Sequence, residues 1–505
     1  MKHALRSLVR SPGFTAIAIL TLALGIGVNT SMFSVLRTVV IRALPYAHPD
    51  RLVHLHRSGN SGQDWPHSVA NFVDLHAQQT VFEHLAAVQG ATFNLALPGE
   101  PADRLRGYRV SSEFFSTLGV PPALGRFFTA AEDRPGHDTV AVLSHRFWQT
   151  RFAGDASIVG REIRLDGKTV TVIGVMPPSF EDPLLWGQAD LWQPIAFSDS
   201  QRANRRSNYL RVIAKMKPGL SLAQADAGLK AAWAPLVAAH PENAQTSLRI
   251  EPLAYGSRID GGPISWFMFA LAGLVLLIAC ANLANLQFAR TAARARELAV
   301  RASLGATRTQ LMRAVFVESL ALAVVGGALG VLLALWCNDL LGRQVFIPPA
   351  TVGIDIPLDY RVLAFALAAS TLAGVGFGLF PAWLAARTNV SDALKQGGPA
   401  FTASHAQLRV RHLLIVAEVT LAVVLLSTAS IFLHGLHRAT QRDPGWRVDG
   451  LLTASLSIQT PKGTDTAEQR SAYRRAFVQQ LEEQLAALPG VEQVGVGTML
   501  PTYGL

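Results

Sequence analysis

SPGFTAIAILTLALGIGVNTSMFSVL, residues 11–36, carries no charged side chain between Arg10 and Arg37. About 20 mostly apolar residues let a helix cross the hydrocarbon core of a bilayer, so this stretch decides the class of the protein. Four more windows follow: 261–289 between Asp260 and Arg290, 319–338 between Glu318 and Asp339, 362–386 between Arg361 and Arg387, and 419–437 between Glu418 and Arg438. The last is the shortest and is extended by Leu413–Ala417 on the other side of Glu418. Composition agrees, since only 16% of the 505 residues are charged against about a quarter in soluble domains. The expectation is an α-helical membrane protein with about five transmembrane helices.

The net charge of +10 could suggest a nucleic-acid partner, but its distribution argues against one. Residues 1–10, 290–318 and 387–418 hold thirteen Lys and Arg against four Asp and Glu. Almost all the excess positive charge therefore flanks the spans on one side, which is the positive-inside pattern. It places those segments, and the N-terminus, in the cytoplasm. The long segment between the first two spans, and the loop 339–361 with its two Arg and three Asp, fall outside. Membrane lipid is thus an expected partner and nucleic acid is not. The first window is longer than the 7–15 residues of a secretory signal core, and no A-x-A site follows, so it reads as a retained anchor. Cys280 and Cys337 both fall in expected spans, where they read as small apolar packing residues.

The layout divides the chain into residues 1–43 (cytoplasmic N-terminus and span 1), 44–262 (a soluble domain), 263–398 (spans 2–4), 399–440 (span 5) and 441–505. The 219-residue insertion is large enough for its own core. Its pattern is mixed α and β. Arg51–His56 alternates as a strand, and Ser68–His76 has helical spacing. REIRL and TVTVIGV flank Asp166-Gly167 as a hairpin within 160–175. Tyr209–Met216 is a strand, Ser221–His240 a helix, and Thr246–Pro252 another strand. The last segment repeats that logic: strand candidates Leu451–Ile458 and Val491–Thr498 flank a helix over Thr466–Leu488. It reads as a partial second copy of the soluble domain.

Chemistry-bearing motifs are scarce. Gly167-Lys168-Thr169 imitates the tail of a phosphate loop, but the required earlier glycine is Glu162. The 14 histidines include no HExxH, and no serine elbow or carboxylate pair stands out, so neither a catalytic nor a metal site is expected. Asn29, Asn282 and Asn285 are polar groups in or near spans, more suited to hydrogen bonding between helices than to a substrate path. Few ionisable groups lie inside the spans, which argues against ion-coupled transport. Gly326 and Gly330, like Gly374 and Gly378, form GxxxG pairs that let helix backbones approach. In the loop after span 2, Arg294, Arg296, Glu297, Arg301, Arg308 and Arg313 make a basic, helix-compatible face, with Glu297 and Arg301 one turn apart. Gly305 can break that helix before Arg308. By itself such a face contacts anionic lipid.

Four stretches resemble the MacB/FtsX-type permeases of ABC systems, and within them the duplicated MacB-like permeases. They are SPGFTAIAILTLALGIGVNTSMFSVLRTVVIRALPY (11–46), VSSEFFSTLGVPPALGRFFTAAED (110–133) with the VAVLSHRFWQTRFAGDASIVGREIRLDG that follows, NLANLQFARTAARARELAVRASLGATRTQLMRAVFVESL (282–320), and the DPGW turn at 443–446. The resemblance implies a MacB-like periplasmic core at 44–262 and an FtsX-like permease domain at 263–398. It implies a multi-pass protein of the bacterial inner membrane that binds no cofactor itself, because ATP is bound by a partner subunit, a cytoplasmic ABC ATPase. A periplasmic adaptor and a dimer or pseudo-dimer belong to the same expectation. The implied function is non-catalytic efflux or export by mechanotransmission, with Arg294, Glu297, Arg301, Gly305 and Arg308 as the surface that meets the ATPase. An FtsX-like scaffold controlling an extracytoplasmic cell-wall hydrolase is the alternative. Members of the simple type have four spans and duplicated ones eight, so five spans imply one unit and the start of another.

Overall fold

The computed structural model describes residues 9, 11–41, 44–59, 64–97, 99, 101–253, 262–294, 300, 307–344, 346–347, 350–351, 356–385, 405–440, 450–454, 456, 458 and 466–497. The opening window forms helix α1, Pro12–Leu36. Proline suits its first turn because the N–H it lacks would have no intrahelical acceptor there. The helix passes directly into a π-helical turn, Arg37–Ile41.

The soluble domain is built on a 12-stranded sheet. Its longer strands are β1 (Leu52–Gly59), β2 (Phe82–Ala96), β3 (Asp103–Val110), β4 (Val140–Leu143), β5 (Glu162–Leu165), β6 (Lys168–Val175), β7 (Leu191–Pro194), β8 (Asn208–Met216) and β9 (Thr246–Pro252). They lie in the order β9-β1-β8-β2-β3-β7-β4-β6, with β5 bridging β2 and β6. Only β7 beside β3 and β4 beside β6 run parallel among these strands. Each strand expected in the insertion is present. The Asp166-Gly167 turn has φ of 49° and 74°, as a two-residue hairpin requires. Asp166 tolerates this because its Oδ1 accepts from the backbone N–H and side-chain amide of Asn94, at 3.0 and 3.1 Å.

Alternation on β1 sends Leu52 to one face and Val53 and Leu55 to the other. Helices α2 (Val69–Gln78) and α3 (Leu222–Ala239) cover the second face. On α3, Ala225, Leu229, Trp233 and Leu236 are buried at successive turns. Its start is fixed by a capping box in which Ser221 and Gln224 each bond the other's backbone N–H. The first face is aromatic, with Phe114, Phe115, Phe180, Trp186 and Trp192 at its centre.

The long helices outside the soluble domain's sheet include α1, α4 (Gly262–Ala293), α5 (Arg308–Gln344), α6 (Tyr360–Ala385) and α7 (His405–Thr440). Among the described residues, four stretches are long and apolar enough to cross a membrane: Pro12–Ile41, Ser265–Thr291, Phe316–Gly342 and His412–Gly435. A shorter apolar stretch, Tyr360–Gly376, opens α6. Helices α1 and α6 pack against each other and against both α4 and α5, and α7 lies against α4.

The terminal segment departs from expectation. Its helix is present as α8, Ala467–Ala486, capped by Thr466 with Gln469. The strands expected at 451–458 and 491–498 are not formed among the described residues. A strand exists only through ladder bonds to a neighbour, and no sheet pairing reaches either segment there. The described residues of both segments are exposed or half-buried.

Candidate coupling site

The bundle is closed by small residues. A methyl added at Gly326 on α5 would come within 2.6 Å of Leu22 Cβ on α1. At Gly330 it would meet Ala23 O and Gly27 N at 3.1 Å, and at Gly374 on α6 it would meet Ala323 Cβ at 2.8 Å. The side-chain surroundings of position 378 lie outside the described residues. Gly25, Gly27 and Gly327 make equally close approaches, to Leu276, Gly330 and Ser370. Sequence reasoning passed over these three because none stands in a GxxxG pair with another; only the crossing shows which small residues face a neighbour.

Polar side chains tie the helices at both ends. Asn29 Nδ2 donates to Gly25 O on its own helix and to Ala272 O on α4, at 2.8 and 2.6 Å. At the end that the charge pattern places inside, Arg290 Nη2 donates to Ser11 Oγ at 2.9 Å. The Arg290 guanidinium lies 4.5 Å from the ring centre of Phe14 and 3.7 Å from Glu318. Arg294 reaches the same carboxylate at 3.4 Å. The residue before α1, the end of α4 with the residue just past it, and Glu318 in the third turn of α5 therefore share one knot of polar and ionic contacts. Asn285 Nδ2 donates to Glu418 Oε2 at 3.2 Å and holds α7 against α4. Of the expected coupling residues, the structure places Arg294 in this knot. Arg308 opens α5, while Glu297, Arg301 and Gly305 lie outside the described residues. The knot itself was not foreseen, because it joins positions nearly 300 residues apart; the one hint was that Arg290 and Glu318 bound adjacent spans.

At the other end, the chain enters the soluble domain through its aromatic core. Leu44 and Tyr46, just beyond α1, and Leu253, just after β9, are buried in the same cluster. Trp186 Nε1 donates to Tyr46 Oη at 2.7 Å. Tyr108 Oη donates to Trp186 O at 2.9 Å, and the Arg211 guanidinium stacks over the Trp186 ring at 4.9 Å. Burial pushes the Tyr46 hydroxyl pKa up and the Arg211 pKa down. Tyr46 thus remains a neutral phenol able to accept from Trp186. Among the described residues, no group of three or more His, Cys, Asp or Glu is arranged to hold a metal ion.

Comparison with known proteins matches residues 15–232 to the MacB-like periplasmic core domain and residues 269–390 to the FtsX-like permease C-terminal domain. The macrolide export ATP-binding/permease protein MacB of Salmonella paratyphi A is 26% identical over 288 residues, 56% of this chain and 42% of that protein. Its namesake in Neisseria meningitidis serogroup A is 24% identical over 294 residues, 57% of this chain and 43% of that protein. The chain thus spans about two fifths of the length of the curated relatives it matches. Among solved structures, the periplasmic region of MacB from Actinobacillus actinomycetemcomitans aligns at 14% identity and a TM-score of 0.33, covering 44% of this chain and 98% of that one.

Proposed function

Because the chain belongs to the MacB/FtsX-type ABC permease family, we propose that it is the non-catalytic transmembrane component of an export system, passing motion from a separate cytoplasmic ATPase to the periplasmic domain. The supporting observation is that both connections between membrane and domain, at Leu44–Tyr46 and at Leu253, are rooted in one aromatic core. A displacement of α1 against α4 is therefore delivered to packed side chains, and close-packed interiors transmit strain instead of absorbing it. The knot of Ser11, Arg290, Arg294 and Glu318 is where an inner push would enter. We place the ATPase-facing surface at Arg294, Glu297, Arg301, Gly305 and Arg308, with ATP bound by the partner. The proposed setting is the bacterial inner membrane, with five spans, an inside N-terminus, residues 44–262 in the periplasm, an adaptor docked there, and a dimeric or pseudo-dimeric assembly.

The test is co-purification from gently solubilised native membranes. An ABC ATPase should accompany the wild type and be lost from the Glu297→Lys/Arg301→Glu variant. Absence of any ATPase from both samples, with the protein inserted and intact, overturns the proposal. An ATPase retained by the variant removes the assigned surface.

A further inference from the structure

Asp359 is the N-cap of α6. Its carbonyl accepts from Leu363 N–H at 3.0 Å, and its Oδ1 accepts from the backbone N–H groups of Arg361 and Val362 at 3.1 and 3.2 Å. Its second oxygen, Oδ2, pairs with Arg37 on α1. One carboxylate therefore ends one helix and grips another. Arg37 stands where α1 changes from α- to π-helical, at the root of the link to the soluble domain. π-helical turns are uncommon and are often found at functional positions.

A second tie lies about 9 Å, or six residues, back along α1. Ser31 Oγ donates to Asn338 Oδ1 on α5 at 2.7 Å, and Asn338 Nδ2 donates to Ile356 O at 3.3 Å. The strap 356–359 is thus joined to α1 twice, and Ile356 itself is buried. Between the two ties, Phe33 stacks on Phe365 of α6 with ring centres 4.3 Å apart.

The geometry points to an outer clamp: the strap 356–359, acting through Asp359 on Arg37, positions the stalk end of α1 against α6 and moves with it. Arg37 is a positioning residue, because it acts through α1 on the domain beyond. The clamp deepens the proposed transmission by making α6 part of the moving unit. In water an exposed ion pair contributes little, but the Arg37 side chain is only 14% exposed and the Asp359 side chain 30%. Removing one partner leaves the other charge poorly solvated.

Two variants separate the clamp from the cap. Asp359→Asn keeps an oxygen for the helix N-terminus and loses the charge, and Asp359→Ala loses both. Arg37→Gln removes the other partner. Spin labels at Ile41 and Tyr360, 45% and 70% exposed, report the separation in the full chain in lipid nanodiscs, with Cys280 and Cys337 replaced by Ala. The wild type should give one narrow distance distribution. Arg37→Gln and Asp359→Asn should each raise a displaced population by about tenfold, and the double variant should raise it no further. Unchanged distributions, an additive double variant, or a change confined to Asp359→Ala would each overturn the clamp. No ATPase enters the measurement, so the clamp and the permease assignment can fail separately.

Discussion

His67 should make the stability of the soluble domain acid-sensitive. Its Nε2 lies 3.1 Å from Leu55 O, and a carbonyl can only accept, so the proton sits on Nε2. Nδ1 is buried with no hydrogen-bond partner. Protonating it would bury a charged N–H facing no acceptor, and burial accordingly lowers the pKa from 6.5 to about 4, although the bond to Leu55 works the other way. The unfolded chain therefore takes up this proton first. Stability that is full above the unfolded value is lost as pH falls from about 6.5 toward 4. From those two values the loss is about 2 kcal/mol at pH 5 and about 3 kcal/mol once both states are protonated. His54 and His56 are also lowered, mainly by burial, and add in the same direction. His76 is raised, chiefly by its hydrogen bond to Glu113, and opposes them. The comparison is thus between the wild type and His67→Gln, which keeps a donor for Leu55 O. Tryptophan-detected denaturant unfolding of the detergent-solubilised chain at pH 7.5, 6 and 5 measures it. The variant should lose about 2 kcal/mol less than the wild type over that range. Equal pH slopes would refute the buried, singly protonated state of His67.

Three further outcomes are expected. Gly326→Ala should force α1 and α5 apart, since the new methyl would sit 2.6 Å from Leu22 Cβ where carbon atoms prefer about 3.5–4.0 Å; overpacking of this kind costs about 1–3 kcal/mol, measurable by mixed-micelle unfolding, and unchanged stability would contradict the crossing. Asn29→Leu should cost about 0.6–1.7 kcal/mol in the same assay through loss of the bond to Ala272 O. Asp166→Val should lower the thermal midpoint through a strain of about 1–3 kcal/mol at positive φ, whereas Asp166→Asn, which tolerates that conformation and keeps an acceptor for Asn94, should stay near the wild type; equal losses would place the cost elsewhere than the turn.

What could be read in advance follows from what each signal depends on. Charge-free runs, helix periodicity and the Asp166-Gly167 turn are local, so residues 11–36, α2, α3 and the β5–β6 hairpin were legible from the chain alone. Legibility failed at 451–458 and 491–498, where alternation was present but a strand also needs a neighbour.

By itself the sequence determined the membrane class and the α+β character of the insertion, because each is a sum over local composition and spacing. Only the tertiary structure decided that Gly27 meets Gly330, that Arg290 joins Ser11 to Glu318, that Tyr46 and Leu253 share one core, and that Asp359 holds Arg37. Those pairs lie from 28 to more than 300 residues apart along the chain. No window contains both partners, and their meeting is set by helix crossings and strand order that only the closed fold defines.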